Sequence, residues 1–188
     1  MANEILQKEG TYIAFGVTGS FSPADAGTQF ASAITDVLTL SAVATGAGRQ
    51  STKADLGATR AARYELFACV DFTGETPSAT GGSVDYYWAP STSGTQANGN
   101  IAGNSGIDGA APDGALGSIT LAEFIRQCIA IGSLFTHDGA VVQNGYVGWF
   151  APPSRYGQLV VVNNSGDAFE ADDVEMHHVL VPIKDEIQ

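Results

Sequence analysis

The sequence contains few basic residues and few charges of any kind. Of its 188 residues, 8 are Lys or Arg and 20 are Asp or Glu, which makes 15% of the chain charged and gives a formal net charge of -12 at pH 7. This charge repels phosphate backbones and anionic lipid headgroups, so neither nucleic acid nor a membrane surface is an expected partner. Because 44% of the residues are hydrophobic, the composition also excludes a charge-rich disordered chain.

Cysteines and long hydrophobic runs are scarce as well. Cys69 and Cys128 each lie inside an apolar stretch, where a reduced cysteine behaves as a small hydrophobe, so we predict two buried thiols and no disulfide. Polar and charged side chains interrupt the longest candidate for a membrane span, residues 119–135, and the first ten residues lack the pattern of a secretory signal. The sequence therefore predicts a soluble protein that folds where it is synthesised.

Catalytic motifs are missing too. No serine lies in a Gly-x-Ser-x-Gly sequence, and residues 46–48 lack the Gly-Lys-Ser/Thr ending of a phosphate-binding loop. On the last predicted strand, Asp173, Glu175 and His177 follow one another at period two, which would present two carboxylates and an imidazole to one cation. A solvated acidic strand face gives the same pattern, and His178 on the opposite face is typical of a core or interface side chain. We predict no enzyme, no cofactor and no metal.

Short apolar runs separated by Gly, Asn, Asp, Ser and Pro clusters make up most of the sequence, a pattern typical of antiparallel β structure. We predict an all-β fold, an antiparallel β-sandwich of jelly-roll type. One short helix is expected near residues 120–126, where Ser118 or Thr120 caps it and Glu123 lies in its first turn. We expect residues 49–56 to form an edge strand and residues 63–72 to pair with 83–89. The predicted strands are residues 11–17, 36–43, 49–56, 63–72, 83–89, 128–136, 141–150, 159–162 and 174–183.

The chain is expected to form a single domain, residues 1–188, with three special segments. Residues 1–10 are predicted as an N-terminal arm and residues 183–188 as a C-terminal tail, each able to reach a neighbouring chain. Residues 91–118 contain almost only small and polar residues and cannot build a core of their own. We predict a long surface loop there, which is either free or ordered by another chain.

Large aromatic residues and arginines mark the candidate interaction surface. Tyr, Trp and Arg are enriched in protein interfaces, and loops at strand ends carry binding surfaces. Core packing is an equal alternative for the two tryptophans, and stacking on a sugar ring is a third use. The candidate interface residues are Arg49, Arg60, Tyr87, Trp88, Trp149, Arg155 and Tyr156.

Several stretches along the chain carry a likeness to known proteins. They are residues 5–11, 46–51, 55–57, 60–64, 87–91, 152–163 and 182–188. Together these stretches resemble a family of small structural proteins of tailed-bacteriophage particles. The resemblance implies a non-enzymatic virion protein, made in the cytoplasm of the host bacterium, and first of all a head decoration subunit. A neck or tail component is the alternative within that family.

Partners follow from the same resemblance. A decoration subunit associates with copies of itself and with the major capsid protein or another virion protein. Surfaces made of Gly, Ala, Ser and Thr favour a closed cyclic assembly, and a trimer is the expected one. A carbohydrate-binding module on the particle surface, with Trp88 or Trp149 as the stacking platform, is the alternative function.

Overall fold

The computed structural model describes residues 5–17, 33–77, 81–137 and 139–187 of the chain. It is 44% strand with one short helix, so the prediction of a mostly β chain is confirmed. The helix α1 spans Leu121–Ile125. The strands are β1 (Ile5–Glu9), β2 (Ile13–Gly16), β3 (Asp36–Val37), β4 (Gly48–Gln50), β5 (Ala54–Asp55), β6 (Arg63–Asp71), β7 (Ser83–Ser91), β8 (Gly109–Ala111), β9 (Ile129–Phe135), β10 (Val142–Phe150), β11 (Tyr156–Asn164) and β12 (His177–Ile187).

All of these strands belong to one curled sheet. Its order is β3-β2-β12-β6-β10-β9-β7-β11-β4-β8, with β1 on the end of β12 and β5 on the start of β11. The pairs are antiparallel except β2 with β3, which is parallel and makes the sheet mixed. The finer prediction of a sandwich of jelly-roll type stays a prediction.

Period-two alternation places the core inside the curl of the sheet. On β7, for example, Val84, Tyr86 and Trp88 are fully buried and point inward, because side chains at i, i+2 and i+4 of a strand share one face. Two smaller apolar clusters lie on the outer face. One surrounds Cys69 on β6, and the other lies beneath Phe124 of α1.

The expected pairing of residues 63–72 with 83–89 is wrong. β6 pairs with β10 and β12, whereas β7 pairs with β9 and β11. A glycine-rich connection signals a turn but does not choose the partner, which is selected by the fit of whole faces into one core.

The predicted strand 36–43 ends early, at Val37. Leu38 and Leu40 are buried in the core, yet the backbone between them is held by a side chain, because Asp108 Oδ1 accepts from the Thr39 N–H at 2.9 Å. Such local bonds compete with a sheet ladder. At Ala42 the chain turns with φ 50°.

The prediction that residues 49–56 form an edge strand is also wrong. That stretch is split into β4 and β5, and β4 lies between β11 and β8. Between the two strands, the Ser51 hydroxyl accepts from the Leu159 N–H at 3.0 Å and interrupts the ladder.

The segment 91–118 is ordered by its own chain, which neither predicted alternative included. The Lys53 ammonium donates to the carbonyls of Ser93, Thr95 and Asn98 at 3.0, 2.8 and 2.9 Å. Strand β8, within the segment, pairs with β4. A loop with few bulky apolar residues is therefore fixed largely by hydrogen bonds to its backbone.

The two predicted terminal segments pair with each other. Strand β1 runs against the end of β12 from Ile5 opposite Ile187 to Glu9 opposite Ile183, and Arg63 opposite Ile183 is the last pair between β6 and β12. Beyond that point β1 and β12 continue as a two-stranded ribbon. Residues 1–4 and 188 of the predicted arm and tail lie outside the described residues. Within the described part of the chain, no helix has the length and apolarity needed to cross a membrane.

Candidate interaction surface

Large aromatic side chains lie exposed at the centre of the outer sheet face. Phe135 on β9 is 79% exposed, and Trp149 and Tyr146 on β10 are 57% and 51% exposed. Their chain neighbours Leu134, Val147 and Phe150, in contrast, are buried in the main core. Phe67, on the neighbouring strand β6, is half-buried and points to the same side. We call these four outward aromatic side chains the aromatic face: Phe67, Phe135, Tyr146 and Trp149.

A β-bulge creates this face. Tyr146 and Trp149 are three residues apart, so regular alternation would put them on opposite sides of the sheet. The register against β6 shifts between Tyr146 and Gly148, which leaves Val147 as an extra residue in β10. Val147 turns inward, and Trp149 returns to the outer side with Tyr146.

Contacts across the strands order the aromatic face. Phe67 and Tyr146 are a cross-strand pair whose ring centroids lie 5.4 Å apart, in an edge-to-face arrangement. Trp149 lies opposite Glu65, whose carboxylate is 3.4 Å from the Arg63 guanidinium. The surface thus joins an uncharged aromatic centre to an ion pair at its border.

Three of the predicted interface residues come together near the loop that joins β10 to β11. Arg155 forms two hydrogen bonds of 2.6 Å to the carboxylate of Asp55, and its guanidinium carbon lies 5.0 Å from the ring centroid of Tyr156. This pairing lowers the pKa of Asp55. Arg60 donates to the Pro153 carbonyl at 3.4 Å in the same loop. The two arginines therefore already have partners within the chain.

The other predicted residues lie apart from this cluster. Arg49 Nε donates to the Thr39 carbonyl at 2.9 Å, and its guanidinium is 3.5 Å from Asp108. Tyr87 is half-buried and packs against the cluster beneath α1. Trp88 is fully buried in the main core, so it is corrected from a surface candidate to a core residue, which was the alternative considered for it.

The arrangement of Asp173, Glu175 and His177 that was considered for a cation is not formed. Strand β12 begins at His177, and Asp173 and Glu175 precede it in a turn, so the three side chains do not share a strand face. Among the described residues, no group of three or more His, Cys, Asp or Glu side chains is placed to hold a metal ion.

Both histidines of β12 are buried. His178 lies in the core with its Nε2 3.2 Å from the Tyr86 hydroxyl, and its Nδ1 has no hydrogen-bond partner among the described residues. Burial lowers the pKa of His178 to about 3 and that of His177 to about 4. At neutral pH both rings are therefore uncharged.

Both cysteines are free, as predicted. Cys69 is buried and Cys128 is half-buried, and burial raises the pKa of each thiol to about 12. Neither thiol is therefore a reactive thiolate at neutral pH.

A cleft of about 300 Å³ near the start of β3 was not predicted from the sequence. Burial raises the pKa of Asp36 to about 6, against the opposing effect of hydrogen bonds from Thr35 and Thr52. Asp55, the second carboxyl of the lining, is bound to Arg155. Of these two acids, Asp36 is the one that titrates near neutral pH.

Comparisons of the chain with models of protein families, with curated proteins and with solved structures found no match.

Proposed function

We propose that this protein is a non-enzymatic structural subunit of a tailed-bacteriophage particle, and in the first place a decoration subunit that stabilises the head shell. The observation that carries the proposal is the aromatic face. The largest exposed apolar patch of a soluble protein is often functional, and such surfaces mark sites of association. A subunit that covers a shell needs contacts of this type with copies of itself and with the major capsid protein.

Two further features support this role. The net charge of -12 disfavours contact with the packaged genome and suits a protein on the outside of a particle. The segment 91–118, held by Lys53 and paired through β8, gives the subunit a rigid surface in place of a free loop. Rigid surfaces lose less entropy when subunits associate.

At the level of the fold, we propose that the curled sheet closes into two packed layers of jelly-roll type. Phe15 on β2 and Leu159 on β11 are six strands apart in the sheet order, yet both belong to the main core cluster. A sheet whose distant strands share one core has turned back on itself. An experimental structure with two facing layers and Greek-key connections would support this assignment.

The central experiment adds the purified protein to heads that lack it. We expect saturable binding and a higher temperature of head disruption, and cryo-electron microscopy to locate the copies on the shell. Phe135→Ser should weaken the binding, whereas Leu116→Ser, at a residue 70% exposed in the segment 91–118, should not. Density at the neck or tail would assign the protein to that part of the particle, and absence of binding to any part of it would refute the proposal.

Carbohydrate binding is the second candidate, favoured by the position of Trp149. Its ring is exposed, and its cross-strand partner on β6 is Glu65, a residue whose carboxylate can accept hydrogen bonds from a sugar. A glycan array probed with the wild type and with Trp149→Ala tests this candidate. Glycan binding that disappears in the variant would support it, and an array without hits would remove it.

A further inference from the structure

We infer that the aromatic face, Phe67, Phe135, Tyr146 and Trp149, is the surface on which a second copy of this chain docks, face against face. The inference rests on the proposed function to the extent that a decoration subunit associates with itself. It adds which surface makes the contact.

The aromatic face lies between two areas of the outer sheet surface that the chain itself covers. On one side, Phe124 of α1 covers the outer surface of β7 and β11 together with Val160 and Ala89. On the other side, Ile34 packs against the cluster around Cys69. Among the described residues, both flanks of the sheet are thus covered by the chain's own segments, whereas Phe135 on β9 and Tyr146 and Trp149 on β10 remain exposed.

The exposed area of the aromatic face is large enough to anchor an interface. A large aromatic side chain buries 150–250 Å² when it is enclosed, so Phe135, Tyr146 and Trp149 together present roughly 300–450 Å² to water at their observed exposures. The largest apolar patch of a typical monomer is about 300–600 Å² and is often functional. A stable interface buries about 800 Å² on each partner, so these rings would supply about half of it as a central anchor.

The distribution of charge favours a second copy of the chain as the partner of the aromatic face. The chain carries a net charge of -12, so two copies repel each other over most orientations. The aromatic side chains are uncharged, and the pair of Arg63 and Glu65 at their border is self-compensating. A basic partner would be drawn to the acidic surface elsewhere, whereas a second copy finds in this face a surface that does not repel its own.

The aromatic face is already ordered in the free chain. The face lies on paired strands, and Phe67 and Tyr146 already hold each other in contact. Little freedom is then lost on docking. About a two-fold axis the same face meets itself, so this contact makes a dimer; the expected trimer would need contacts between two different surfaces.

The experiment measures association of the full chain by sedimentation and by tryptophan fluorescence across a dilution series. The chain has two tryptophans, of which Trp88 is buried, so a change in acrylamide quenching on association reports Trp149. Subtracting the signal of Trp149→Phe isolates it. We expect a complex of two copies in which Trp149 becomes protected from quencher, and exposure of Trp149 on dilution.

A charge introduced into the aromatic face provides the matched test. Trp149→Arg and Phe135→Arg should each raise the dissociation constant at least about tenfold, the effect of losing a central aromatic anchor. Leu116→Arg adds the same charge to an exposed apolar residue outside the face and should leave it unchanged. Far-ultraviolet circular dichroism and melting curves verify that the variants fold, and the high exposure of Phe135 makes its substitution the safer one.

A chain that stays monomeric up to about 0.1 mM, or a complex that survives both arginine substitutions, would overturn the inference. Failure of the inference and failure of the proposed function are distinguishable. If monomers bind phage heads, the function stands and the self-docking inference falls. If copies associate through the aromatic face but bind no part of the particle, the inference stands and the function falls.

Discussion

At the scale of single residues, Trp88 and Gly157 approach each other very closely in the core. A Cβ atom on Gly157 would collide with the indole ring of Trp88, so only glycine fits at this position of β11. We expect Gly157→Ala to lower the free energy of unfolding by about 1–3 kcal/mol, the usual cost of overpacking. Denaturant unfolding measures the loss. Gly109→Ala is the control, since a Cβ there meets nothing within 4 Å, and equal stability of the two variants would contradict the packing described.

The buried His178 predicts acid lability. Its folded pKa of about 3 lies below the reference value of 6.5, so protons bind the unfolded chain more readily. Its contribution to stability is complete above pH 6.5 and is lost as the pH falls towards 3, by about 3 kcal/mol between pH 7 and 4.

Unfolding free energies at several pH values test this. His178→Gln should flatten the decline because Gln does not titrate, while its amide can still bond to Tyr86. The exposed His137 provides the control in His137→Gln, which should retain the wild-type slope. An unchanged slope in His178→Gln would exclude His178 as the cause.

The raised pKa of Asp36 changes stability with pH in the direction opposite to that of His178. Its folded pKa of about 6 lies above the reference value of 3.8, so its favourable contribution is present at low pH and is lost as the pH rises through 6. We expect Asp36→Asn to raise the free energy of unfolding at pH 7 by about 1–2 kcal/mol, after allowance for solvent screening. Near pH 4 the gain should shrink. A variant that is less stable than the wild type at pH 7 would contradict the raised pKa.

The two tryptophans illustrate what the sequence can predict of the candidate surface. Both follow apolar runs at strand ends, yet Trp88 is fully buried and Trp149 is exposed. The outward direction of Trp149 depends on the bulge at Val147, which is defined by the register against β6. That register is a property of two distant strands and leaves no local signal, so alternation alone cannot separate the two residues.

At the scale of elements, local signals predicted well and long-range ones did not. The helix α1 lies where Thr120 and Glu123 predicted it, because their capping box satisfies backbone groups within three residues. The strand over residues 63–72 was likewise found from its apolar run, and the strand over residues 141–150 from alternation. Their partners were not, because pairing depends on faces brought together from distant parts of the chain.

One lysine holds residues 93–98 of the segment 91–118. Lys53 satisfies three backbone carbonyls within residues 93–98, and its removal leaves them without this donor. We expect Lys53→Met to increase amide hydrogen exchange and proteolysis in residues 92–99 while the core strands keep their protection. Lys184→Met, at an exposed lysine of β12, is the charge-matched control. Unchanged exchange in the segment would show that its order has another source.

At the scale of the whole molecule, the acidic charge governs how copies meet. If association occurs through the uncharged aromatic face, added salt should strengthen it, because screening reduces repulsion between chains that each carry -12. Sedimentation at low and at physiological ionic strength measures the change. An association that weakens with salt would point to ion pairs between copies, with Arg49, Arg60 and Arg155 as the first residues to examine.

The ribbon of β1 and β12 has a mechanical consequence. Ile5 and Ile187 form the outermost described pair of the ribbon. Tension applied to these two residues therefore acts on one pair at a time, beginning with theirs. Such loading unzips a ribbon stepwise, whereas pulling along the strand axes would shear all of its hydrogen bonds together. Tension applied at Ile5 and Ile187 would therefore peel β1 away at low force, before the core strands carry any of the strain.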